Sequence, residues 1–254
     1  MEYFDTHAHY TDERFDPDRE ELLASLPAQG VTRILDCACT ESEWEPVRAL
    51  AARHEGMVYA LGVHGLNALE ATEGWLDRLR PLLSANKCVA IGEIGLDYHY
   101  DFAPRALQKE VLDAQLRLAV ELDLPVILHD REAHADLLRL LTPYAGRLRG
   151  VLHCYSGSAE MVRDFAALGL YFGFGGSLTF KNNEKGRRAA QAVPLAKLLI
   201  ETDCPYLAPV PFRGKRNDSS LVRYPCKLLA ELRGMSEEDM AALTMENGRR
   251  LFGC

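Results

Sequence analysis

The feature that most limits what this chain can fold into is a recurrence: a short apolar run, a polar turn, then a segment with helical periodicity, repeated eight times. The runs are "YFDTHAH" (3 to 9), "RILDCAC" (33 to 39), "MVYALGVH" (57 to 64), "CVAIGEIGLD" (88 to 97), "PVILHD" (125 to 130), "GVLHCY" (150 to 155), "LYFGFGG" (170 to 176) and "LLIETD" (198 to 203). The clearest intervening helix is "APRALQKEVLDAQLRLAVELD", where Leu107, Val111, Leu118 and Leu122 share a face. Pro104 and Pro125 punctuate its two ends. Eight such units in 254 residues is the arithmetic of an α/β chain closed into a (β/α)8 TIM barrel. An open doubly wound sheet would leave two edges, and the first run is not followed by the G-x-G-x-x-G turn typical of that fold. No linker, low-complexity tract or charge block interrupts the repeat, so a single domain over 1–254 is expected.

Composition narrows the class further. A hydrophobic content of 48% supports a large core, and no apolar run approaches the roughly 18 residues of a membrane span. The opening "MEYFDTHAHYTDERFDPDREE" is acidic where a signal peptide would be basic and then apolar, so a cytoplasmic protein is expected. Seven cysteines without a C-x-x-C pair read as reduced thiols, with Cys37 and Cys39 as small buried side chains. A net charge of -8 argues against a broad basic surface that grips long duplex DNA. Any nucleic-acid contact has to be local.

Polar residues gather at the C-terminal ends of the runs. His7 and His9 alternate on the first and, on a strand, emerge on one side about 7 Å apart. Alone, such a pair is commonly just two hydrogen-bonded or surface imidazoles. Here it is followed by His64 on the third run, Glu93 on the fourth, His129 on the fifth, His153 on the sixth and Asp203 on the eighth. Parallel strands of a barrel end at one rim, so these side chains would converge there. Burying them without partners would cost several kcal/mol each, which favours a metal centre, most simply one of two ions. His7, His9 and Asp203 would hold one, His129 and His153 the other, and Glu93 would bridge. Such donors suit Zn, Mn, Fe or Co, and the carboxylates also accept Mg.

The strings "DTHAH", "IGEIGLDYH", "PVILHDREA", "HCYSG", "ETDCPYLAPVPFRGKRN" and "LTMENGRRLFG" resemble, in this order along the whole chain, the TatD family of metal-dependent hydrolases, known for deoxyribonuclease activity. The resemblance implies the barrel of the wider amidohydrolase superfamily and a divalent-metal centre on His7, His9, Glu93, His129, His153 and Asp203. Two departures stand out. The family commonly reads G-x-H-P-H at the third strand, where this chain has Gly65 and Leu66 after His64. After "RGKRN" it usually continues with Glu or Asn and then Pro, where this chain has Asp218, Ser219 and Ser220. Both stretches read as rim loops that touch substrate.

Two cations acidify a water for attack on phosphorus or a carbonyl, with Asp203 as general base and Glu93 positioning both ions. His64, Arg131 and Arg213 are expected to contact substrate, His64 alternatively lying behind the ligands as a hydrogen-bonding residue. Arg213, Lys215 and Arg216 form the densest basic patch, and Tyr98 is the aromatic expected beside them. Asp5 would either orient a ligand imidazole or cap a loop. "GFGG" at 173 to 176 reads as close packing, and His54, His99 and His134 as surface groups. The terminal "MSEEDMAALTMENGRRLF" reads as a helix with Ser236 as N-cap. The expected substrate is DNA ends, short nucleic acid or a small phosphate ester, with no membrane and no obligate protein partner. The alternatives are a hydrolase of small-metabolite amides, esters or lactones, and a non-catalytic protein that binds a metal or nucleotide. The absence of a lysine where Glu93 stands weighs against the carbamate-bridged amidases.

Overall fold

All eight apolar runs become strands: β1 (Tyr3–Ala8), β2 (Val31–Cys37), β3 (Met57–Leu61), β4 (Cys88–Asp97), β5 (Val126–Arg131), β6 (Gly150–Leu152), β7 (Tyr171–Phe174) and β8 (Leu198–Ile200). They were traced in a computed structural model that describes residues 1–100 and 102–254. The strands lie in sequence order in one parallel sheet with helices between them, the expected (β/α)8 barrel. Most strands stop short of the apolar runs, so His9, His64, His153 and Asp203 lie just beyond pairing. There the backbone bends out of the ladder, with Asp203 at φ 57° and Cys154 at φ 43°. A strand that stayed extended would hold these side chains perpendicular to the sheet rather than over the mouth.

Strands β1 and β8 meet without a regular ladder. Instead Thr6 Oγ1 donates to the Ile200 carbonyl at 2.9 Å, and Thr202 donates its N–H (2.8 Å) and hydroxyl (2.5 Å) to the Asp5 carboxylate. Backbone pairing resumes at the rim, where Asp203 N–H donates to the His7 carbonyl at 2.9 Å and His9 N–H to that of Cys204 at 2.8 Å.

One apolar cluster takes a residue from every strand: Phe4, Leu35, Val58, Val89, Ile127, Val151, Tyr171 and Leu199. This is the lumen of the barrel. Met245, Leu251 and Phe252 of the terminal helix (Glu237–Phe252) join it, and Ser236 caps that helix by accepting the Asp239 N–H at 3.0 Å. Burying each large side chain contributes about 1.5–3 kcal/mol. Two residues beyond Ile127, Val151 and Leu199 stand His129 on β5 and His153 and Glu201 just past the ends of β6 and β8, on the same face by strand periodicity. The site therefore sits on an apolar plug.

The helix Arg105–Leu122 packs outside the sheet, with Asp123 ending it in the left-handed region at φ 52°. Its buried face carries Val111, Leu112, Leu116, Leu118 and Ala119, while Leu107 and Leu122, expected on that face, are only half-buried. The face is rotated because it also buries two glutamines. Gln115 accepts the Val63 N–H at 2.8 Å and donates to its carbonyl at 3.0 Å; Gln108 does the same for Asp97, at 2.9 Å each. The two amides fix the backbone just before His64 and at the end of β4. Among the described residues, no helix is long and apolar enough to cross a membrane.

Candidate metal centre

Glu93 stands at the middle of the mouth, and its two oxygens face different imidazole pairs. Oε2 lies 3.2 Å from His7 Nε2 and 3.5 Å from His9 Nε2. Oε1 lies 3.1 Å from His129 Nδ1 and 2.8 Å from His153 Nε2. Within each pair the ring nitrogens are 3.0 Å apart (His7 and His9) and 3.2 Å apart (His129 and His153). Asp203 Oδ1 closes the first set at 3.4 Å from His9 and 3.8 Å from His7. Two donors on one ion at metal–ligand distances near 2.1 Å and ordinary bond angles stand about 3.0–3.4 Å apart; five of these eight separations fall in that range, and the widest, Asp203 to His7, exceeds it by 0.4 Å.

The outward nitrogens explain why these rings point inward. His9 Nδ1 donates to the Cys37 carbonyl at 3.0 Å, and His129 Nε2 to Asp97 Oδ2 at 2.9 Å, so each turns its other nitrogen toward the centre. His7 Nδ1 meets the Cys37 thiol at 3.5 Å, and His153 Nδ1 faces Glu201 Oε1 at 3.7 Å. Glu201 is fully buried, also accepts the Cys154 N–H, and occupies the space that a side chain at position 173 would need. His64 is different. Its Nδ1 accepts the Leu66 N–H at 3.0 Å, which puts the proton on Nε2, 3.4 Å from Glu93 Oε1.

Electrostatics divides these groups. Burial and the neighbouring His153 hold His7 below the usual imidazole range; burial and His129 do the same for His64. Burial opposes a proton on His9, yet Asp203 and Glu93 outweigh it and lift His9 to about 9. In the same way, carboxylates overcome burial to raise His129 (Asp97 and Glu93) and His153 (Glu93 and Glu201). Burial works against ionising Glu93 and Asp203, but the surrounding imidazoles keep both below the normal carboxyl range.

Of the residues singled out in the sequence, His7, His9, His64, Glu93, His129, His153 and Asp203 come together. Arg131 ends β5 with its guanidinium 4.9 Å from the Tyr100 ring centroid, and exposed Arg213 lies over Phe180 at 3.6 Å. Other expectations are corrected. Of the two roles expected for Asp5, it reaches no imidazole ring and instead caps the loop after β8, accepting from Thr202 and Ser219 and tying the β1–β8 seam. Arg216 is taken up by Asp18 at 2.6 and 2.7 Å, because Asp18 lies within reach of both guanidinium nitrogens. Tyr98 donates to Asp136 at 2.8 Å under the Arg105 guanidinium, rather than joining Arg213 and Lys215. Ser219 of the "DSS" stretch is buried between Asp5 and Tyr10 rather than open to substrate, and Asp218 caps Ser220 N–H at 2.9 Å. Gly65 is required by packing, since a side chain there would meet the Gly95 carbonyl. In "GFGG", Gly173 makes room for Glu201 and Gly176 for the Leu207 carbonyl, so that segment is close packing. His54, His99 and His134 pair with Glu20, Glu132 and Asp130. Asp97 and Glu201 were missed, although both lie in the counted runs.

A parallel barrel with imidazoles and carboxylates massed at its C-terminal rim defines a metal-dependent hydrolase. The comparisons with known proteins agree. The family model described as TatD related DNase matches residues 4–253, and the chain belongs to this TatD family. It is 41% identical over 250 residues to the Bacillus subtilis (strain 168) protein named uncharacterized metal-dependent hydrolase YabD, spanning 98% of each chain. It is 39% identical over 256 residues to the protein named 3'-5' ssDNA/RNA exonuclease TatD from Cronobacter sakazakii, spanning 98% of this chain and 97% of that one. The crystal structure of YJJV, a TatD homolog from Escherichia coli K12, superposes with a TM-score of 0.94 at 34% identity, covering 99% of this chain and 98% of that one.

Proposed function

We propose that this chain hydrolyses phosphodiester bonds at the ends of single-stranded or frayed nucleic acid, on two divalent ions, with 1–254 acting as one catalytic barrel. The observation that carries the reading is Glu93, whose Oε2 faces one imidazole pair and whose Oε1 faces another. One ion would be held by His7, His9, Asp203 and Glu93 Oε2, the other by His129, His153 and Glu93 Oε1. Bound there, divalent ions acidify a water and neutralise charge gathering on phosphate oxygens. The mixed nitrogen and oxygen donors suit Mg, Mn or Zn.

The chain's own groups do the rest. Asp203 stays ionised and is the more open of the two carboxylates, with its side chain 15% exposed against 5% for Glu93, so it takes the proton released by the attacking water. His64, neutral with its proton on Nε2, donates to a phosphate oxygen. Arg131 and Arg213 on the rim supply local positive charge, which a chain of net charge -8 needs to hold a polyanion. The name of the Cronobacter relative supports nucleic acid over small amides or lactones. The seven free cysteines support a reducing compartment such as the cytoplasm.

The test is the full chain loaded with Mg, Mn or Zn and given end-labelled single-stranded oligonucleotides, chromogenic phosphate esters and a lactone panel. Stepwise shortening of the strand that stops with chelator is expected. Glu93→Ala and Asp203→Ala should each abolish it while the circular dichroism melt persists. Activity that survives chelation, or that is confined to lactones, overturns the reading.

A further inference from the structure

Apolar surface is unevenly spread over the barrel. Among the described residues, Met1 and Leu195 are the large exposed hydrophobics at the N-terminal ends of strands. Leu69, Tyr100, Phe102, Tyr206, Leu207 and Val210 all stand on loops that follow β3, β4 and β8, around the mouth that holds the histidines. Exposed apolar surface concentrated beside a polar site marks a binding surface.

Two of these residues are organised with respect to each other. The Tyr100 and Phe102 rings stack with centroids 5.3 Å apart and planes 11° from parallel. Arg131 contributes a guanidinium 4.9 Å from the Tyr100 ring, and Arg131 is two residues beyond His129 on β5. Tyr100 is 43% exposed and Phe102 64%, so Phe102 has the larger open surface to offer. The root of this loop is firmly held. Asp97 Oδ1 accepts the N–H groups of His99 (2.9 Å) and Tyr100 (3.1 Å), while its Oδ2 accepts the His129 ring proton at 2.9 Å. One buried carboxylate thus fixes both an imidazole facing Glu93 and the stem of the ring stack.

We propose that Tyr100 and Phe102, flanked by Arg131, are a platform on which a nucleobase beside the scissile phosphodiester stacks. The proposal rests on the nucleic-acid reading above and adds the part of the substrate that is recognised: the flat base rather than the phosphate alone. Stacked rings accept any base, because every base has a π-face, and a neighbouring guanidinium strengthens the contact. Stacking also supplies attraction that a chain of net charge -8 draws less readily from phosphates.

The experiment compares two single strands of equal length, one complete and one abasic at its two terminal positions, as substrates of the metal-loaded wild type and of Phe102→Ala, Phe102→Leu and Phe102→Trp. Phe102→Ala should raise KM for the complete strand about tenfold, the size of one lost base stack, with kcat unchanged. Phe102→Trp should restore KM, and Phe102→Leu, apolar but not aromatic, should not. The abasic strand should be cut alike by all four proteins. An unchanged KM in Phe102→Ala, or an equal loss on both strands, overturns the platform while leaving the nuclease reading intact. If wild type shortens neither strand, the nuclease reading falls and the platform with it.

Discussion

Asp97→Asn exchanges one carboxylate oxygen for an amide NH2 at almost unchanged volume, which makes it the cleanest probe of the centre. Asp97 Oδ2 accepts from His129 Nε2 at 2.9 Å, leaving Nδ1, the nitrogen a metal ion would take, 3.1 Å from Glu93 Oε1 and 3.2 Å from His153 Nε2. An asparagine whose oxygen still accepts from His99 and Tyr100 must turn its NH2 toward His129. The ring then presents Nε2 as the acceptor and carries its proton on Nδ1, aimed at the centre. The lost charge-assisted hydrogen bond is worth about 1.5–3 kcal/mol, a factor of roughly 10–100 in an equilibrium constant. The same factor is typical when a partner behind a metal-bound imidazole is removed. Competitive titration of the metal-free full chain with Zn or Mn against a chelating dye reads this directly. One affinity should fall by about 10–100-fold while the other, set by His7, His9 and Asp203, stays put. Two unchanged affinities, or two that fall together, would refute the division of donors across Glu93.

Three further outcomes follow from the same contacts. Ser219→Ala removes a buried hydroxyl that donates to Asp5 at 2.6 Å and accepts from Tyr10 at 2.9 Å, and should cost about 1–3 kcal/mol in urea unfolding; a loss within the ±0.5 kcal/mol of a surface change would count against the seam. Gly173→Ala places a methyl on the Glu201 carboxylate and should destabilise by about 1–3 kcal/mol, weakening metal binding through His153; wild-type affinity with lost stability would detach Glu201 from the centre. His9, at about 9, carries a proton at pH 7 that an incoming ion must displace, and the carboxylates that raise His129 and His153 act in the same direction. Binding should therefore weaken as pH falls from about 9 toward 6, and calorimetry at pH 7 in buffers of different ionisation heat should show net proton release; zero release would contradict the raised imidazoles.

The strands were legible because each is apolar along almost its whole length, and a His or Glu inside such a run has few reasons to be there. The same logic failed to rank carboxylates within one run. Glu201 and Asp203 are two apart on one face, and charge alone does not say that Glu201, one pleat deeper, backs His153 while Asp203 turns over the mouth at φ 57°. Asp97 was hidden for a different reason. Its role depends on the register of β4 on β5, which sets Gly95 opposite His129 and Asp97 opposite Arg131, and register is a property of the assembled sheet. Gln108 and Gln115 carried a readable signal: seven residues apart, they lie two turns along one helix face among Leu112, Leu116 and Ala119. A polar pair on an apolar face implies backbone partners, and here those partners are Asp97 and Val63.

The seam between β1 and β8 gives the site its dependence on the whole chain. Asp5 and Thr202, 197 residues apart, are joined there, and the adjoining backbone bonds set His7 and His9 against Asp203. His129 on β5 and His153 just after the neighbouring β6, by contrast, come together without the seam. The two halves of the donor set thus differ in what they require: one needs two adjacent strands, the other needs the first and last strands to meet. An ion held by His7, His9 and Asp203 would favour the closed barrel, and by mass action would add about 2.7 kcal/mol to closure at a hundredfold excess over Kd. In a barrel whose first and last strands share few ladder bonds, an ion proposed to serve hydrolysis would thus also hold the cylinder shut.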